Sequence, residues 1–190
     1  MDCRGRRVAG DRDAVRLSPS LRRLTLAFHV ICSVGWIGAA GAYLALGLAA
    51  QFSRRGQFVR AAWLAMELTG WYVIVPLGCL ALVTGLVMAF GTAWGLLRHY
   101  WVLIAFGFTS LALIILILHM PSVTATARLA AQADNATAAR LGGDVLHPAV
   151  GLLVLVFIAV LNIYKPRGLT GFGQRARSGR PRPANKSSKV

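Results

Sequence analysis

The chain has 190 residues, of which 56% are hydrophobic and 14% charged, yet its formal net charge is +15. A soluble domain with so large an apolar share needs more charged residues to cover its surface, so the composition excludes an ordinary water-soluble protein. Charge is confined to segments that separate four uncharged runs, at residues 24–53, 68–97, 99–127 and 145–164.

Each uncharged run holds the roughly 20 apolar residues that a helix needs to cross the hydrocarbon core of a bilayer. We therefore predict an all-α polytopic membrane protein, a bundle of four transmembrane helices. The helices are predicted at about residues 21–50, 67–90, 99–119 and 147–164, within a transmembrane domain of residues 21–168. The basic segments on either side, residues 1–20 and 169–190, are predicted to be disordered. The first run is longer than the apolar region of a cleaved signal, about 7–15 residues, so we expect a retained helix.

The distribution of basic residues predicts the orientation of the bundle. Sixteen of the 21 Lys and Arg residues lie in the two terminal segments and the second loop, and five lie in the first and third loops. By the positive-inside rule both termini are predicted to be cytoplasmic, in a bacterial cytoplasmic membrane. Since topology and attraction to anionic lipid explain these charges, we expect the bilayer as a partner and no nucleic acid.

The first helix carries a histidine within its apolar stretch "LTLAFHVICSVGWIGAAGAYLAL". His29 shares a helical face with Thr25, Ser33, Trp36 and Tyr43, and a face that collects polar-capable side chains is expected to point into the bundle. Two interpretations stay open. His29 either hydrogen-bonds within the bundle, or it serves as a ligand or proton-relay group.

Proline, glycine and aromatic residues predict the elements that follow the first helix. The loop at residues 51–63 is predicted to lie at the membrane interface, and Pro76 is predicted to kink the second helix. Pro121 is predicted to end the third helix. The Ala-rich segment after it is predicted to form an outer helix that Gly142 and Gly143 stop.

Two further histidines are predicted to meet. His119 ends the third helix and His147 begins the fourth, at similar depth on the outer side, and each continues an inward face of its helix. Two neutral imidazoles across a bundle suit an axially bis-ligated haem, expected as haem b, or a metal ion. With Met120 beside His119, a copper site is the alternative, and two unrelated interfacial histidines without any cofactor are another. His99, about 200° from His119 round the helix, is predicted to be interfacial.

The motif "HVICSVGWIGA", with His29, Trp36 and Gly38, resembles the first-helix pattern of bacterial copper-resistance D proteins. A similar pattern occurs in the membrane haem protein that oxidises protoporphyrinogen. Residues 21–173 as a whole resemble a bacterial family of predicted four-helix integral membrane proteins of unknown function. The first resemblance implies metal handling, and the second implies that His29 is a haem ligand.

Three functional hypotheses result. The first is a haem-binding or redox-associated membrane protein with His119 and His147 as the outer ligand pair and His29 as an inner candidate. The second is a copper-tolerance, metal-tolerance or transport component that uses His119, Met120 and His147. The third is a structural or accessory subunit without a cofactor. A second copy of the chain or a membrane redox partner is expected, and the absence of a nucleophilic triad or phosphate-binding loop in the sequence argues against a hydrolase or transferase.

Overall fold

The computed structural model describes residues 18–91 and 100–164, and within these ranges every regular element is helical. The predictions for His99, for most of the N-terminal segment and for the C-terminal tail lie outside the described residues. The elements, in chain order, are α1 (Pro19–Phe52), α2 (Gly56–Thr69), a π-helical turn (Gly70–Ile74), α3 (Val75–Gly91), α4 (Tyr100–Gln132), α5 (Asn135–Arg140) and α6 (Leu146–Tyr164).

Among the described residues, four helical segments are long and apolar enough to cross a membrane, as predicted: Pro19–Phe52, Gly56–Phe90, Tyr100–Gln132 and Leu146–Tyr164. Helix α1 contacts α3 and α6, and helix α4 contacts the same two helices. The four spans therefore form one bundle. Large apolar side chains such as Val34, Leu118 and Leu153 are exposed on its outside, where lipid would cover them. The fold is therefore the predicted four-helix transmembrane bundle.

The helices α1 and α4 are longer than a bilayer requires. At 1.5 Å per residue their 34 and 33 residues span about 50 Å, against about 30 Å for the hydrocarbon core. The surplus at one end combines with α2 and α5 into a helical layer that we call the cap. Its interior is the most completely buried part of the described chain, with Val59, Met66, Ala127 and Ala130 all inaccessible to solvent.

The prediction that Pro121 ends the third helix is wrong, because α4 continues through Pro121 to Gln132. A proline inside a helix removes one hydrogen bond and costs a few kcal/mol. Burial of Val123, Ala127 and Ala130 against the cap compensates for that loss. Arg60 then satisfies the end of the helix, since its guanidinium donates to the backbone oxygens of Ala130 at 2.9 Å and of Ala133 at 2.6 Å.

The second span also begins earlier than predicted. The interfacial segment expected at residues 51–63 is helical from Gly56 onward, and Trp63 is buried in the cap. A π-helical turn lies just before Pro76, where a kink is predicted, and the Val75 N–H there bonds to the Gly70 oxygen. A widened turn relieves the clash between a proline ring and the carbonyl one turn earlier.

Candidate functional site

His119 and His147 stack face to face where α4 and α6 meet the cap. Their ring centroids lie 3.7 Å apart with 18° between the ring planes. The His119 side chain is 19% exposed and that of His147 is 51% exposed. The structure thus brings together the two histidines that the sequence places at similar depth.

A carboxylate joins the two rings on one side. Oδ2 of Asp144 lies 2.7 Å from Nε2 of His119, and Oδ1 lies 3.4 Å from Nδ1 of His147. Because an ionised carboxylate only accepts hydrogen bonds, the 2.7 Å contact assigns a ring proton of His119 to Nε2. The longer contact brings Nδ1 of His147 next to the same carboxylate. The Asp144 side chain is only 8% exposed, so these partners offset the cost of removing its charge from water.

The first helix supplies a fourth group to the cluster. The hydroxyl of Tyr43, whose side chain is buried, donates to Oδ2 of Asp144 at 3.4 Å. On the far side of His119, Ser122 Oγ lies 3.3 Å from Nδ1 and donates to the His119 backbone oxygen at 2.7 Å. Three helices therefore orient the two imidazoles and the carboxylate.

Glycine positions the loop that carries Asp144. The backbone of Gly143 and Asp144 lies directly against that of Gly47 on α1, in space that a side chain at Gly47 or Gly143 would occupy. Gly142 adopts a φ of 63°, in the left-handed region that glycine tolerates. Two side chains hold the loop, as Trp63 Nε1 donates to Gly142 O and Gly143 N donates to Gln51 Oε1, both at 2.9 Å.

Donor types and distances make this cluster a candidate metal centre. His119, Asp144 and His147 can each offer one ligand atom, and these atoms all lie within 4.8 Å of one another. Imidazole nitrogen and carboxylate oxygen are the donors that Zn²⁺, Fe²⁺ and Cu²⁺ use in proteins. We call these three residues the HDH cluster.

An apolar cavity of about 490 Å³ lies next to the HDH cluster. One wall comes from α1 and the π-helical turn, and the others come from α4 and α6. The lining residues are Trp36, Ala40, Tyr43, Ile74, Phe108, Leu111, Ala112, Ile115, Leu116, His119, Asp144, Leu146, His147, Pro148, Val150, Gly151, Val154 and Leu155.

No protein-family model, no curated protein and no solved structure matches the chain. The site is therefore interpreted from its own geometry.

His29 lies at the other end of the bundle. Tyr43 lies fourteen positions after His29 on α1, and at 1.5 Å per residue this corresponds to about 21 Å along the helix. Nδ1 of His29 lies 2.9 Å from Thr84 Oγ1, and that hydroxyl donates to the Leu80 oxygen at 2.6 Å. Since the single hydroxyl proton is engaged there, Thr84 accepts from His29 Nδ1–H. His29 does face the bundle, as predicted, but the structure does not bring it together with the HDH cluster.

Met120 does not join the cluster either. It follows His119 by about 100° round α4, and its terminal atoms pack against Gly70 in the π-helical turn. Its side chain is completely buried in the hydrophobic core. The structure therefore places the Met120 thioether against Gly70 in the hydrophobic core, and a copper site with Met120 stays a prediction.

Sequence reasoning missed Asp144 and the role of Tyr43. Asp144 immediately precedes the fourth uncharged run, and a carboxylate just outside a span is expected to face water. The signal was its position three residues before His147, since residues three apart in or just before a helix lie on one face.

Proposed function

We propose that this integral membrane protein binds one divalent transition-metal ion through His119, Asp144 and His147. The observation that carries the proposal is the convergence of two imidazoles on a nearly buried carboxylate, at one end of an apolar bundle. Ionisable groups at such depth are costly and tend to serve function.

The spacing of the donors suits a single small ion. Ligand atoms about 2.0–2.1 Å from a tetrahedral Zn²⁺ are about 3.3 Å from one another. The two nitrogen–oxygen distances in the cluster, 2.7 and 3.4 Å, bracket that value. Small rotations of the imidazoles would therefore exchange the hydrogen bond of His119 and the longer contact of His147 with Asp144 for bonds to a shared metal.

The donor set also narrows the choice of metal ion. Two histidines and one carboxylate suit Zn²⁺, Fe²⁺ or Cu²⁺, whereas Cu(I) prefers soft sulfur ligands. The sulfur of Met120 packs toward Gly70, on another face of α4. Three protein ligands leave at least one coordination position for water or a substrate, as in catalytic zinc sites and in non-haem iron sites.

A haem b ligated by His119 and His147 stays a prediction, and the geometry supports it less well. Axial imidazoles bind iron from opposite faces of a flat macrocycle. Here the two rings are in face-to-face contact at 3.7 Å, and both point toward the same carboxylate. Haem binding would require the rings to separate by more than the thickness of the macrocycle.

The bias of basic residues toward the termini supports a location for the site. If both termini are cytoplasmic in a bacterial inner membrane, the HDH cluster lies on the outer side of the membrane. We infer that the metal arrives from outside the cytoplasm, which fits a metal-handling component or a metal-dependent redox component.

Metal titration in mild detergent tests the proposal. Chelator-stripped protein is titrated with Co²⁺, whose visible bands report coordination, and then with Zn²⁺ in competition. We expect one equivalent to bind in the wild type, and the affinity to fall about 100-fold or more in H119A, D144A and H147A. The matched control is H29A, which removes a bundle histidine about 21 Å away and should bind like wild type.

The opposite result has a definite meaning. If the wild type binds no metal, or if the three variants bind metal as tightly as H29A, the cluster is a hydrogen-bond network that joins α4 to the loop between α5 and α6. The visible spectrum of the protein as purified from haem-supplied cells checks the haem hypothesis in the same preparation, because bound haem gives an intense Soret band.

A further inference from the structure

The apolar cavity runs lengthwise along the bundle between two aromatic contacts. At the cap end the rings of His119 and His147 stack, and at the far end Phe108 and Phe157 meet edge to face at 5.6 Å and 65°. His119 lies eleven positions after Phe108 on α4, which corresponds to about 16 Å along the helix axis. That length is close to half the roughly 30 Å of the hydrocarbon core, which is the depth of one leaflet.

One flank of the cavity is open toward the region that lipid occupies. The wall on α1 is closed, since Trp36 and Tyr43 are only 4% and 3% exposed. The walls on α4 and α6 are far more accessible, with Leu111 53%, Val150 52% and Leu146 71% exposed. A molecule dissolved in the bilayer can therefore enter sideways between α4 and α6 without crossing water.

The polar end of the cavity selects the head group. Asp144 carries the only carboxylate among the lining residues and, while no metal cation is bound to it, disfavours an anionic head. The half-exposed ring of His147 lines the cavity, with Nδ1 3.4 Å from Oδ1 of Asp144. The second ring nitrogen, Nε2, accepts or donates a hydrogen bond according to the ring tautomer. A hydroxyl group can partner both states because it donates and accepts.

We propose that the cavity binds a neutral, single-chain lipid with a hydroxyl head group, either an alcohol or a phenol. The hydroxyl of this lipid hydrogen-bonds to His147 of the HDH cluster. The lipid chain extends between α4 and α6 toward Phe108. The cavity volume of about 490 Å³ lies within the range of ordinary small-molecule sites, about 300–1,000 Å³. This inference goes beyond the proposed metal binding and does not require it.

Photolabelling in lipid vesicles tests the proposal on the full chain. The probe is dodecan-1-ol with a diazirine in its chain, and the comparison probe is dodecanoic acid with the same diazirine. In chelator-stripped protein we expect the alcohol to label the peptides of α4 and α6 that line the cavity. We expect the acid to label them at least about tenfold less, because its anion must leave water to lie beside Asp144. Competition by unlabelled dodecan-1-ol and by 4-octylphenol distinguishes an alcohol from a phenol as the preferred head.

A filled cavity provides the matched variant. Gly151 lines the cavity and Gly107 lies on the exposed face of α4, and a Cβ at either position meets nothing within 4 Å. G151L should lower cavity labelling about tenfold, because the new side chain takes the place of several buried methylenes, while G107L should label like wild type. Equal labelling by both probes in the wild type would overturn the proposal, even if G151L failed to fold. Equal labelling of folded G151L and wild type would overturn it too.

The two proposals fail separately. Stripping the metal leaves the alcohol site in place if the present inference is right, and G151L retains metal affinity if the HDH cluster is the metal site. A protein that binds no metal but is labelled in the cavity by the alcohol would contradict the proposed function alone. A protein that binds metal but is not labelled in the cavity would contradict only the lipid site.

Discussion

The two ends of the bundle each contain histidine, but they differ in what surrounds it. At one end His29 meets a single hydroxyl, that of Thr84, and the ring lies beside Gly85, where a Cβ would approach His29 Cε1 to 3.1 Å. At the other end two stacked imidazoles share the carboxylate of Asp144, which is 8% exposed. A bundle-facing histidine can thus be satisfied by uncharged partners, here the Thr84 hydroxyl and the Ala81 backbone, whereas a converging carboxylate creates a site with ligand chemistry.

The surroundings of the two ends differ as well. The HDH cluster lies beneath the cap, where the buried side chains are tightly enclosed and where the loop backbone touches α1 at Gly47. His29 lies in a part of α1 whose neighbours, such as Phe28 and Ile31, are exposed on the lipid-facing side. Rigid support keeps donor atoms close to a productive geometry, so we expect metal affinity to depend on the cap.

The largest difference in Zn²⁺ affinity between the two ends of the bundle is expected when the partner of each histidine is replaced. D144N keeps the shape of the side chain but removes its charge, and should weaken Zn²⁺ binding about 100-fold or more. T84V removes the partner of His29, and should leave Zn²⁺ affinity unchanged while lowering the free energy of unfolding by about 0.6 kcal/mol. Competition against a Zn²⁺ indicator measures the first effect. Equal Zn²⁺ affinities in D144N and T84V would contradict the comparison.

A smaller effect is expected from the loop contact on α1. In G47A the new methyl would overlap the backbone oxygen of Asp144, so the loop must shift, at a cost of about 1–3 kcal/mol and with weaker metal binding. The matched change G41A lies on the same helix, where a Cβ meets nothing within 4 Å. It should be neutral or stabilising by about 0.5–1 kcal/mol. Unfolding midpoints in detergent decide this, and equal midpoints for the two variants would show that the contact does not constrain the loop.

Tyr43 is expected to tune the site rather than to form it. Y43F removes the hydroxyl that donates to Asp144 at 3.4 Å and leaves the ring in the cavity wall. Groups that orient a metal ligand typically contribute about 10–100-fold to affinity, and the length of this bond favours the lower value. A Zn²⁺ titration of Y43F should therefore show a decrease of about tenfold. A loss as large as that of D144N would instead make Tyr43 a ligand.

The smallest effect concerns Asp134, at the start of α5 in the cap. Hydrogen bonds from the side chain and the backbone N–H of Thr137 hold the pKa of the Asp134 carboxyl below its ordinary value. Its stabilising contribution is therefore complete above the pKa of the unfolded chain and disappears as the pH falls through the lower folded value. The midpoint difference between wild type and D134A should shrink slightly on acidification, whereas D134N, which keeps an acceptor oxygen, should differ less. A difference that is constant with pH would exclude this coupling.

The spans were predictable because hydrocarbon penalises charge so strongly that four uncharged runs leave one fold class. The pairing of His119 with His147 was predictable too, since their depth and helical faces coincide. The continuation of α4 through Pro121 was not, because it depends on the burial of Val123, Ala127 and Ala130 against helices distant in sequence. Local propensity at a proline gives no information about that packing.

Asp144 shows where sequence reasoning ends for the site. Its side chain reaches the two imidazoles only because the loop backbone lies against Gly47, almost a hundred positions earlier, and because Trp63 and Gln51 hold that loop. A carboxylate just outside a span is otherwise expected to face water. The three-residue spacing of Asp144 and His147 is compatible with a shared face, but it does not give the direction of that face.

X-ray absorption at the zinc edge is the most direct test of the central claim, that His119, Asp144 and His147 together bind one metal ion. Protein loaded with one equivalent of Zn²⁺ should show a first shell of nitrogen and oxygen at about 2.0–2.1 Å, with the outer-shell scattering of two imidazoles. A sulfur shell at about 2.3 Å, or a shell of oxygen alone, would contradict the account.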